Sequence, residues 1–347
     1  MKRILIIKPS SLGDVVHAFP AVHALLEIPD QTVDWVINPA FSELLDYLPG
    51  LGRKILFRRR ELGKITSFFP TAYRLLRDLR KTPYDAVIDL QGLFRSALVG
   101  LFARSSLRYG PASAREPLAR LCYNRMLHYP ENIQHAVEKN CSMIAEYSGR
   151  DHISPEYSLP ELEKYAIVAN RLLAANVLAN RRFIAVAPGA RWETKQWPPE
   201  FFAACIEKIA EILPEKPFVL LGSPAEQPLC RKIAKTVGKA ETADLSGQTT
   251  PGVLTEIIRR ADLLLCNDSG PMHLAAAVGT PVTALFGPTD PGLTGPYGKN
   301  CTVLQPKLNC IKCFNKSCPT EECHWKISPE TVAAAVTGQI RKGVGDK

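Results

Sequence analysis

The 347-residue chain contains no apolar run of about 18 residues free of charges and helix breakers, the length that a bilayer span requires. Its start, MKRILII, places basic residues before a short apolar run, but Lys8 and Asp14 follow without the cleavage pattern of a secretory signal. Neither a membrane-spanning nor a secreted protein is expected. The sequence predicts a cytoplasmic protein.

Two phosphate-binding fingerprints are also missing. The chain has no G-x-G-x-x-G after its first apolar stretch and no G-x-x-x-x-G-K-[ST] anywhere. A dinucleotide-dependent dehydrogenase and a P-loop NTPase are therefore disfavoured. The apolar content of 46% and charged content of 22% are typical of a soluble globular enzyme, and the length allows two α/β domains.

The fold class follows from the order of apolar stretches along the chain. Strands are predicted at 3–8, 33–37, 85–89, 183–187, 218–221, 263–266 and 282–286. Strands that alternate with helices predict parallel sheets covered on both faces. Since segment 151–160 contains prolines and lacks a clear period, we expect two Rossmann-like βαβ domains, 1–155 and 156–328, facing across a crevice, followed by a helix in 329–347.

Ligands of open α/β sheets bind beyond the carboxyl ends of the strands, which directs attention to loops 9–14, 188–197 and 267–273. In the first loop, Asp14 either complements the dipole of the following helix or takes a proton from a substrate hydroxyl. In the second, Lys195 stands between Trp192 and Trp197. It is either a phosphate ligand in a partly apolar crevice or an ordinary surface lysine.

The third loop, with the sequence NDSGPMH at 267–273, predicts the start of a helix. Asp268 or Ser269 is expected to cap it, Gly270 allows close backbone approach, and Pro271 suits the first helical position. The free N–H groups of such a helix form an anion site, although a well-capped helix without a ligand shows the same pattern. His273 alone is more typical of a core histidine than of a catalyst.

Ten cysteines are present, and four of them form a cluster with the pattern Cys310-x2-Cys313-x4-Cys318-x4-Cys323. A chain of this size without a secretory signal is not expected to depend on disulfides. The spacing is tight enough for the four thiols to surround one structural zinc or iron ion. The alternative is a loop of reduced thiols.

Charge is unevenly distributed. Residues 1–150 contain 21 Lys and Arg against 14 Asp and Glu, and the remaining residues contain 22 against 20. The densest basic patch comprises Arg53, Lys54, Arg58, Arg59, Arg60, Lys64, Arg74, Arg77, Arg80 and Lys81. Such a patch is either a solvated face or the binding surface of an anionic partner, for which nucleic acid, an anionic membrane and a phosphorylated substrate all qualify.

Four segments carry a resemblance to a known family. They are KPSSLGDVVHAFPAV at 8–22, YDAVIDLQGLFRSAL at 84–98, AREPLARLCYNR at 114–125, and DSGPMHLAAAVGTPVTALFGPTDP at 268–291 with GPYGKN after it. Together they resemble the ADP-heptose:lipopolysaccharide heptosyltransferases of glycosyltransferase family 9, whose fold is GT-B. Because GT-B folds commonly return their C-terminal helix to the first domain, the resemblance implies the same course for the helix in 329–347. The second and third segments are most similar to members that add the first heptose to the inner core, the heptosyltransferase I group.

The resemblance implies a role for each matching position. Asp14 matches the general base. The donor-binding residues it implies are Lys195, Glu226, Asp268, Ser269, Gly270 and His273. The acceptor-binding residues it implies are Ser11, Gly13, Arg59, Arg60, Lys64, Arg115 and Arg125.

The activity expected from this resemblance is inverting, metal-independent transfer of heptose from ADP-heptose to Kdo-lipid A. It needs no cofactor, and the protein would lie peripherally on the anionic cytoplasmic face of the inner membrane. The first domain would bind the acceptor and the second the nucleotide sugar. Two alternatives stay open: a heptosyltransferase acting on a later core sugar or on an autotransporter protein, and a non-catalytic nucleic-acid-binding protein. Nucleic acid is not the expected partner, because the chain has no recognisable nucleic-acid-binding motif and no interleaved aromatics are expected at the basic patch.

Overall fold

The computed structural model describes residues 1–176, 178–320 and 322–345. The chain divides into two compact units, Met1–Ser158 and Leu159–Lys347. The division falls inside the proline-bearing segment 151–160. Each unit contains one six-stranded sheet in which all paired strands are parallel.

The first sheet has the strand order β3-β2-β1-β4-β5-β6. Its strands are β1 (Lys2–Ile7), β2 (Gln31–Ile37), β3 (Lys54–Leu56), β4 (Ala86–Asp89), β5 (Arg108–Pro111) and β6 (Arg125–Leu127). The helices of this unit are α1 (Leu12–His17), α2 (Phe19–Leu26), α3 (Arg59–Leu62), α4 (Ile65–Arg80), α5 (Phe94–Phe102) and α6 (Ala136–Ser148), with 3-10 helices at Pro39–Tyr47 and Pro117–Cys122.

The second sheet has the equivalent order β12-β11-β10-β7-β8-β9. Its strands are β7 (Ile184–Ala187), β8 (Phe218–Leu220), β9 (Thr242–Asp244), β10 (Leu263–Asn267), β11 (Val282–Leu285) and β12 (Cys301–Leu304). The helices are α7 (Glu163–Ala175), α8 (Pro199–Ile212), α9 (Gln227–Thr236), α10 (Pro251–Arg260), α11 (Gly270–Val278), α12 (Pro291–Thr294), α13 (Glu322–Trp325) and α14 (Pro329–Gly345), with 3-10 helices at Glu193–Lys195 and Pro224–Glu226.

All seven strands predicted from apolar stretches are present, and they form the centres of the two sheets. The four residues of β7 and the five of β10 are all buried, as expected where helices cover both faces. The five strands without a prediction, β3, β5, β6, β9 and β12, have only three or four residues each. The predicted strands β4, β7, β8 and β11 are as short but fully buried. The five unpredicted strands are partly exposed, so they lack an apolar run that a sequence pattern could reveal.

Chain order reverses at one point in each sheet. In the first sheet β1 lies between β2 and β4, and in the second β7 lies between β8 and β10. Loops at the carboxyl ends of such neighbouring strands diverge to opposite faces of the sheet and leave room for a ligand. The β1/β4 and β7/β10 edges are therefore the topological switch points at which side chains with chemical roles are expected.

The C-terminal helix α14 packs against α8 in the second unit. Its Val332 and Val336 are fully buried in the same apolar cluster as Phe202 and Ile206. The predicted return of this helix to the first domain stays a prediction. Within the described ranges, none of the helices combines the length and apolarity needed to cross a bilayer.

Candidate active site

Asp14 lies at the carboxyl edge of the first sheet, in the first turn of α1 after the loop that follows β1. Its side chain is half-buried. Its Oδ2 accepts hydrogen bonds from the backbone N–H of Ser11 at 2.7 Å and from Ser11 Oγ at 2.8 Å. A carboxylate held by neutral donors and partly open to solvent has the geometry that a general base requires.

Lys8 is the first residue after β1 and is only 7% exposed. Its Nζ donates a hydrogen bond of 2.5 Å to the backbone oxygen of Leu90, directly after β4. Burial lowers the pKa of Lys8, and the negative charges of Asp14 and Asp89 act against that shift. Lys8 thus connects the ends of the two strands that form the switch point.

Asp89 is the last residue of β4 and is 1% exposed. Its carboxylate accepts hydrogen bonds from Tyr123 Oη at 2.6 Å, Ser96 Oγ at 2.7 Å and the backbone N–H of Gln91 at 2.8 Å. Burial raises the pKa of Asp89, and these donors together with Lys8 act against the shift. The network fixes the β4–α5 loop beside Lys8.

Sequence reasoning gave Lys8 and Asp89 no role. The signal that could have found them is their position, because each ends or directly follows a predicted strand and each lies in a segment that carries the family resemblance. Their proximity depends on β1 pairing with β4, with Ile7 opposite Asp89. Local sequence does not specify that pairing.

The acceptor residues implied by the resemblance fall into three groups in the first unit. Ser11 is the N-cap residue of α1, and Gly13 lies with Asp14 in the first turn of that helix. Arg59, Arg60 and Lys64 are exposed and occupy α3 and the N-cap of α4. They follow β3, so they lie at the same edge of the parallel sheet as Asp14, two strands away.

The third group is Arg115 and Arg125, both exposed. Arg115 belongs to a loop that meets the β4–α5 loop, since the backbone N–H of Glu116 donates to Gly92 O at 3.2 Å. Arg125 begins β6, opposite Tyr109 of β5. Three strand spacings of about 4.8 Å, roughly 14 Å in total, separate β6 from β1. The structure brings Arg115, but not Arg125, to the β1/β4 switch point.

Lys195 and Asp268 form an ion pair at the switch point of the second sheet. Lys195 Nζ lies 2.6 Å from Asp268 Oδ2, and the side chains are 16% and 6% exposed. Thr289 Oγ1 donates to the same Oδ2 at 2.6 Å. Lys195 also lies over the ring of Trp192, 4.7 Å from its centroid. A cation fixed between a carboxylate and an indole is suited to meet a phosphate.

The expectation that two tryptophans flank Lys195 needs correction. Trp197 is fully buried and packs edge-on against Phe202, 4.9 Å between ring centroids. Its indole N–H donates to the backbone oxygen of Ile327 at 2.9 Å. Trp197 turns into the core because it is followed by α8, whose apolar face it joins. Trp192 is therefore the tryptophan that contacts the lysine.

The start of α11 differs in detail from the sequence expectation. Ser269 occupies the N-cap, but its side chain makes no capping bond, and Asp268 is committed to Lys195. The helix begins at Gly270, which makes Pro271 the second helical residue. Among the described residues, the buried Oγ of Ser269 has no hydrogen-bond partner. His273 is buried, 7% exposed, on the same helix.

Glu226 ends the 3-10 helix after β8, and its Oε2 accepts the backbone N–H of Ser223 at 2.6 Å. The carboxylate lies against Gly189, where an added Cβ would overlap it. Gly189 follows β7, in the loop that also carries Lys195. Asn267 connects this loop to β10, because its Nδ2 donates to Pro188 O at 2.6 Å. The six predicted donor residues are thus gathered at the carboxyl ends of β7, β8 and β10.

The cysteine-rich loop packs against the Lys195 loop. Thr194 Oγ1 donates to Asn315 O at 2.8 Å, and Lys316 lies 5.3 Å from the centroid of the Trp192 ring. His324 is 1% exposed and its Nε2 lies 2.7 Å from Thr194 O. The sequence left a metal site or a loop of reduced thiols open for this segment, and it did not reveal the contact with the Lys195 loop.

The predicted metal site at Cys310, Cys313, Cys318 and Cys323 is not assembled. Across the described ranges, which include all four cysteines, no three or more His, Cys, Asp or Glu side chains are grouped closely enough to hold a metal ion. Within the part of the chain that the structure describes, none of these four cysteines forms a disulfide, and Cys310 and Cys313 are exposed. The structure therefore gives no support to a structural zinc or iron ion there.

Known proteins resemble this chain in sequence and in fold. The family model Glycosyltransferase family 9 (heptosyltransferase) matches residues 72–324. Lipopolysaccharide heptosyltransferase 1 of Pseudomonas aeruginosa is 31% identical, over 97% of this chain and 98% of that protein. The protein of the same name from Escherichia coli K12 is 33% identical, over 89% and 95%.

The chain belongs to glycosyltransferase family 9, the heptosyltransferases. The solved structure of E. coli heptosyltransferase WaaC with ADP has a TM-score of 0.75 and 28% identity to the chain, and the match covers 97% of this chain and 99% of that one. This likeness and the two six-stranded parallel sheets confirm the predicted α/β GT-B fold class. The expected glycosyltransferase class is confirmed as well, and the comparisons favour neither alternative function.

Proposed function

We propose that the protein transfers heptose from ADP-heptose to the Kdo region of an inner-core lipopolysaccharide acceptor, with inversion at the anomeric carbon. The names of its relatives support the reaction class, and WaaC was solved with ADP bound. The observation that carries the proposal is that the two switch points present different chemical groups. The β1/β4 switch point presents the carboxylate of Asp14, which neutral donors hold. The β7/β10 switch point presents Lys195 beside the N-terminus of α11.

In the acceptor half, Asp14 accepts the proton of the acceptor hydroxyl as that oxygen attacks C1 of the heptose. The two bonds from Ser11 orient the carboxylate. Lys8 is not a candidate base at this position, because its Nζ is committed to Leu90 O and its side chain is buried. Proton transfer to a positioned carboxylate contributes about 10²–10⁴-fold to such a rate.

In the donor half, the leaving ADP gains negative charge as the bond from C1 to oxygen breaks. Lys195 and the first N–H groups of α11 stabilise that charge, and the hydroxyl of Ser269 is a further donor at the same place. In this proposal Glu226 accepts hydrogen bonds from the ribose hydroxyls, which the position of its carboxylate against Gly189 in the loop after β7 supports. These residues need no metal ion for this step.

The acceptor class follows from the charge of the first unit. Kdo sugars carry carboxylates and lipid A carries phosphates, while Arg59, Arg60 and Lys64 lie exposed at the edge of the sheet that also carries Asp14. A glycolipid acceptor also places the working enzyme at a membrane surface. We therefore propose a peripheral location on the cytoplasmic face of the inner membrane.

The test is ADP release from ADP-heptose with Kdo2-lipid A as acceptor, with lipid A lacking Kdo as the matched control. We expect turnover with the first acceptor only, and a product with the anomeric configuration opposite to that of the donor. Equal turnover with both acceptors would refute the Kdo assignment. ADP binding without turnover on either acceptor would refute the acceptor class and retain the donor class.

A further inference from the structure

Helix α4 exposes an apolar stripe on the surface of the first unit. Ile65 is 93% exposed, Phe69 78%, Tyr73 67% and Leu76 36%. Their spacing of four, four and three residues places them on one side of the helix. The helix buries another side, where Leu79 is 1% exposed and packs with Leu75 against the core. The packing of α4 against the first unit therefore covers only that side and leaves the stripe open to solvent.

Exposure on this scale is unusual for a surface helix. Phe68 is 43% exposed and packs edge-on against Phe69, 5.4 Å between ring centroids, so the aromatic area extends beyond the stripe. Single exposed apolar residues are ordinary, but contiguous apolar surface marks a place where another molecule or a membrane binds. The basic patch therefore has aromatic residues within it, and the expectation that it lacks interleaved aromatics was wrong.

Basic side chains border the stripe. Arg74, Arg77 and Arg80 are exposed on the same helix, and the side chain of Arg77 retains 62% exposure although it pairs with Asp78 at 3.3 Å. Since successive residues of a helix are 100° apart, these arginines lie beside the stripe around the helix axis, on the side that faces solvent. Apolar and aromatic residues bordered by arginine are typical of a helix that lies in the headgroup region of an anionic bilayer.

A second copy of the chain would fit this surface poorly. Docking of two α4 helices would bring Arg74, Arg77 and Arg80 of one copy close to the same residues of the other, and the neighbouring α3 adds Arg59 and Arg60 to each side. Like charges at such a contact oppose association. Anionic lipid headgroups, in contrast, provide negative charges with which the same arginines pair.

We propose that α4 is the membrane-docking element of this protein. Ile65, Phe69, Tyr73 and Leu76 insert into the boundary between headgroups and acyl chains of an anionic phospholipid bilayer, while Arg74, Arg77 and Arg80 bind headgroup phosphates. The inference deepens the proposed function and rests on it for its purpose, since a glycolipid acceptor resides in such a bilayer. Lys64, implied in acceptor binding, occupies the N-cap position directly before Ile65, so docking would bring the basic residues implied in acceptor binding to the membrane.

The test is co-sedimentation with vesicles of phosphatidylcholine and phosphatidylglycerol that contain no glycolipid, compared with vesicles of phosphatidylcholine alone. We expect the wild type to bind the anionic vesicles, and Phe69→Ser/Tyr73→Ser to lower the partition coefficient by about tenfold or more. The matched control is Ile167→Ser/Ile212→Ser, which removes two apolar side chains of the second unit, each 44% exposed. It should bind like the wild type.

The charge of the surface is tested separately. Arg74→Gln/Arg77→Gln should weaken binding by about tenfold at low salt, and high salt should reduce the difference, because phosphate contacts of exposed arginines are screened. Circular dichroism verifies that each variant is folded. The side chains replaced in the two variants, Phe69, Tyr73, Arg74 and Arg77, are exposed, so their replacement should not disturb the core.

Three binding results would overturn the proposal: no binding of the wild type to anionic vesicles, equal binding by wild type and Phe69→Ser/Tyr73→Ser, or self-association that this variant abolishes without any vesicle binding.

Failure of the proposed reaction is distinguishable from failure of membrane docking, because these vesicles contain no acceptor. If the reaction is as proposed, the variant keeps turnover on detergent-dispersed acceptor and loses it on acceptor embedded in anionic vesicles. Loss on both would place the stripe in acceptor binding instead of docking.

Discussion

At the switch point of the first sheet, the half-buried carboxylate of Asp14 is held by the N–H and hydroxyl of Ser11. At the switch point of the second sheet, the carboxylate of Asp268 is held by Lys195, 2.6 Å away. The two sheets have equivalent strand order. Neutral donors orient a carboxylate and leave it able to take a proton. A fixed lysine provides positive charge for an anion. Under the proposed function, equivalent topology supports proton transfer in one unit and charge stabilisation in the other.

Removal of the carboxylate in the first unit should have the largest effect. Asp14→Asn keeps the shape of the side chain but cannot accept the acceptor's proton, so turnover should fall by about 10³-fold. ADP affinity, measured by calorimetry, should stay at the wild-type value, because the donor residues belong to the second unit. Ser11→Ala is the matched control, since Asp14 keeps the backbone N–H bond and turnover should fall much less. Full activity of Asp14→Asn would exclude Asp14 as the base.

The equivalent change in the second unit should affect binding. Lys195→Ala removes the cation, and ADP affinity should fall by about 2 kcal/mol, roughly 30-fold. Lys316→Ala is the matched control, because Lys316 contacts the same Trp192 ring at 5.3 Å. Its affinity for ADP should stay close to wild type. A loss of turnover in Lys195→Ala with unchanged ADP binding would contradict the division of roles between the two switch points.

The buried network of the first unit can be tested with two tyrosines. Tyr123→Phe removes the 2.6 Å bond to Asp89, and Tyr84→Phe removes the 2.8 Å bond from Tyr84 to the buried Asp34 of β2. Each should lower the free energy of unfolding by about 1.5 kcal/mol, measured by urea denaturation. Well below the unfolding temperature, only Tyr123→Phe should also reduce turnover, because Asp89 lies at the switch point. Equal turnover in both variants would make the network purely structural.

Acid should weaken the second unit through His324. Burial lowers the pKa of His324 below its usual 6.5, while the hydrogen bond to Thr194 O acts against the shift. Between the lowered folded pKa and 6.5 the unfolded chain binds more protons, so stability falls with falling pH, by about 1 kcal/mol per pH unit. Denaturation followed by tryptophan fluorescence at several pH values measures this slope. His324→Gln should flatten it, and an unchanged slope would assign it to other groups.

The sequence predicted which loops carry the candidate residues better than it predicted which side chains contact one another. Loops 9–14, 188–197 and 267–273 all carry candidate residues at the carboxyl ends of central strands, as the rule for parallel sheets requires. The details that depend on packing were wrong: Trp197 enters the core, Asp268 pairs with Lys195, and Pro271 is the second helical residue. A side chain with two available partners cannot be assigned to one of them before the distances are known.

Sequence by itself determined the central strands, the α/β class, the ends at which ligands bind and the family. These features depend on apolar periodicity and on short motifs, which are local. Tertiary structure decided that β4 lies beside β1, which brings Asp89 to Lys8, and that β10 lies beside β7, which brings Asp268 to Lys195 across 73 positions of the chain. It also decided which apolar residues of α4 stay exposed. Strand order and burial arise from the packing of distant segments, and no local pattern encodes them.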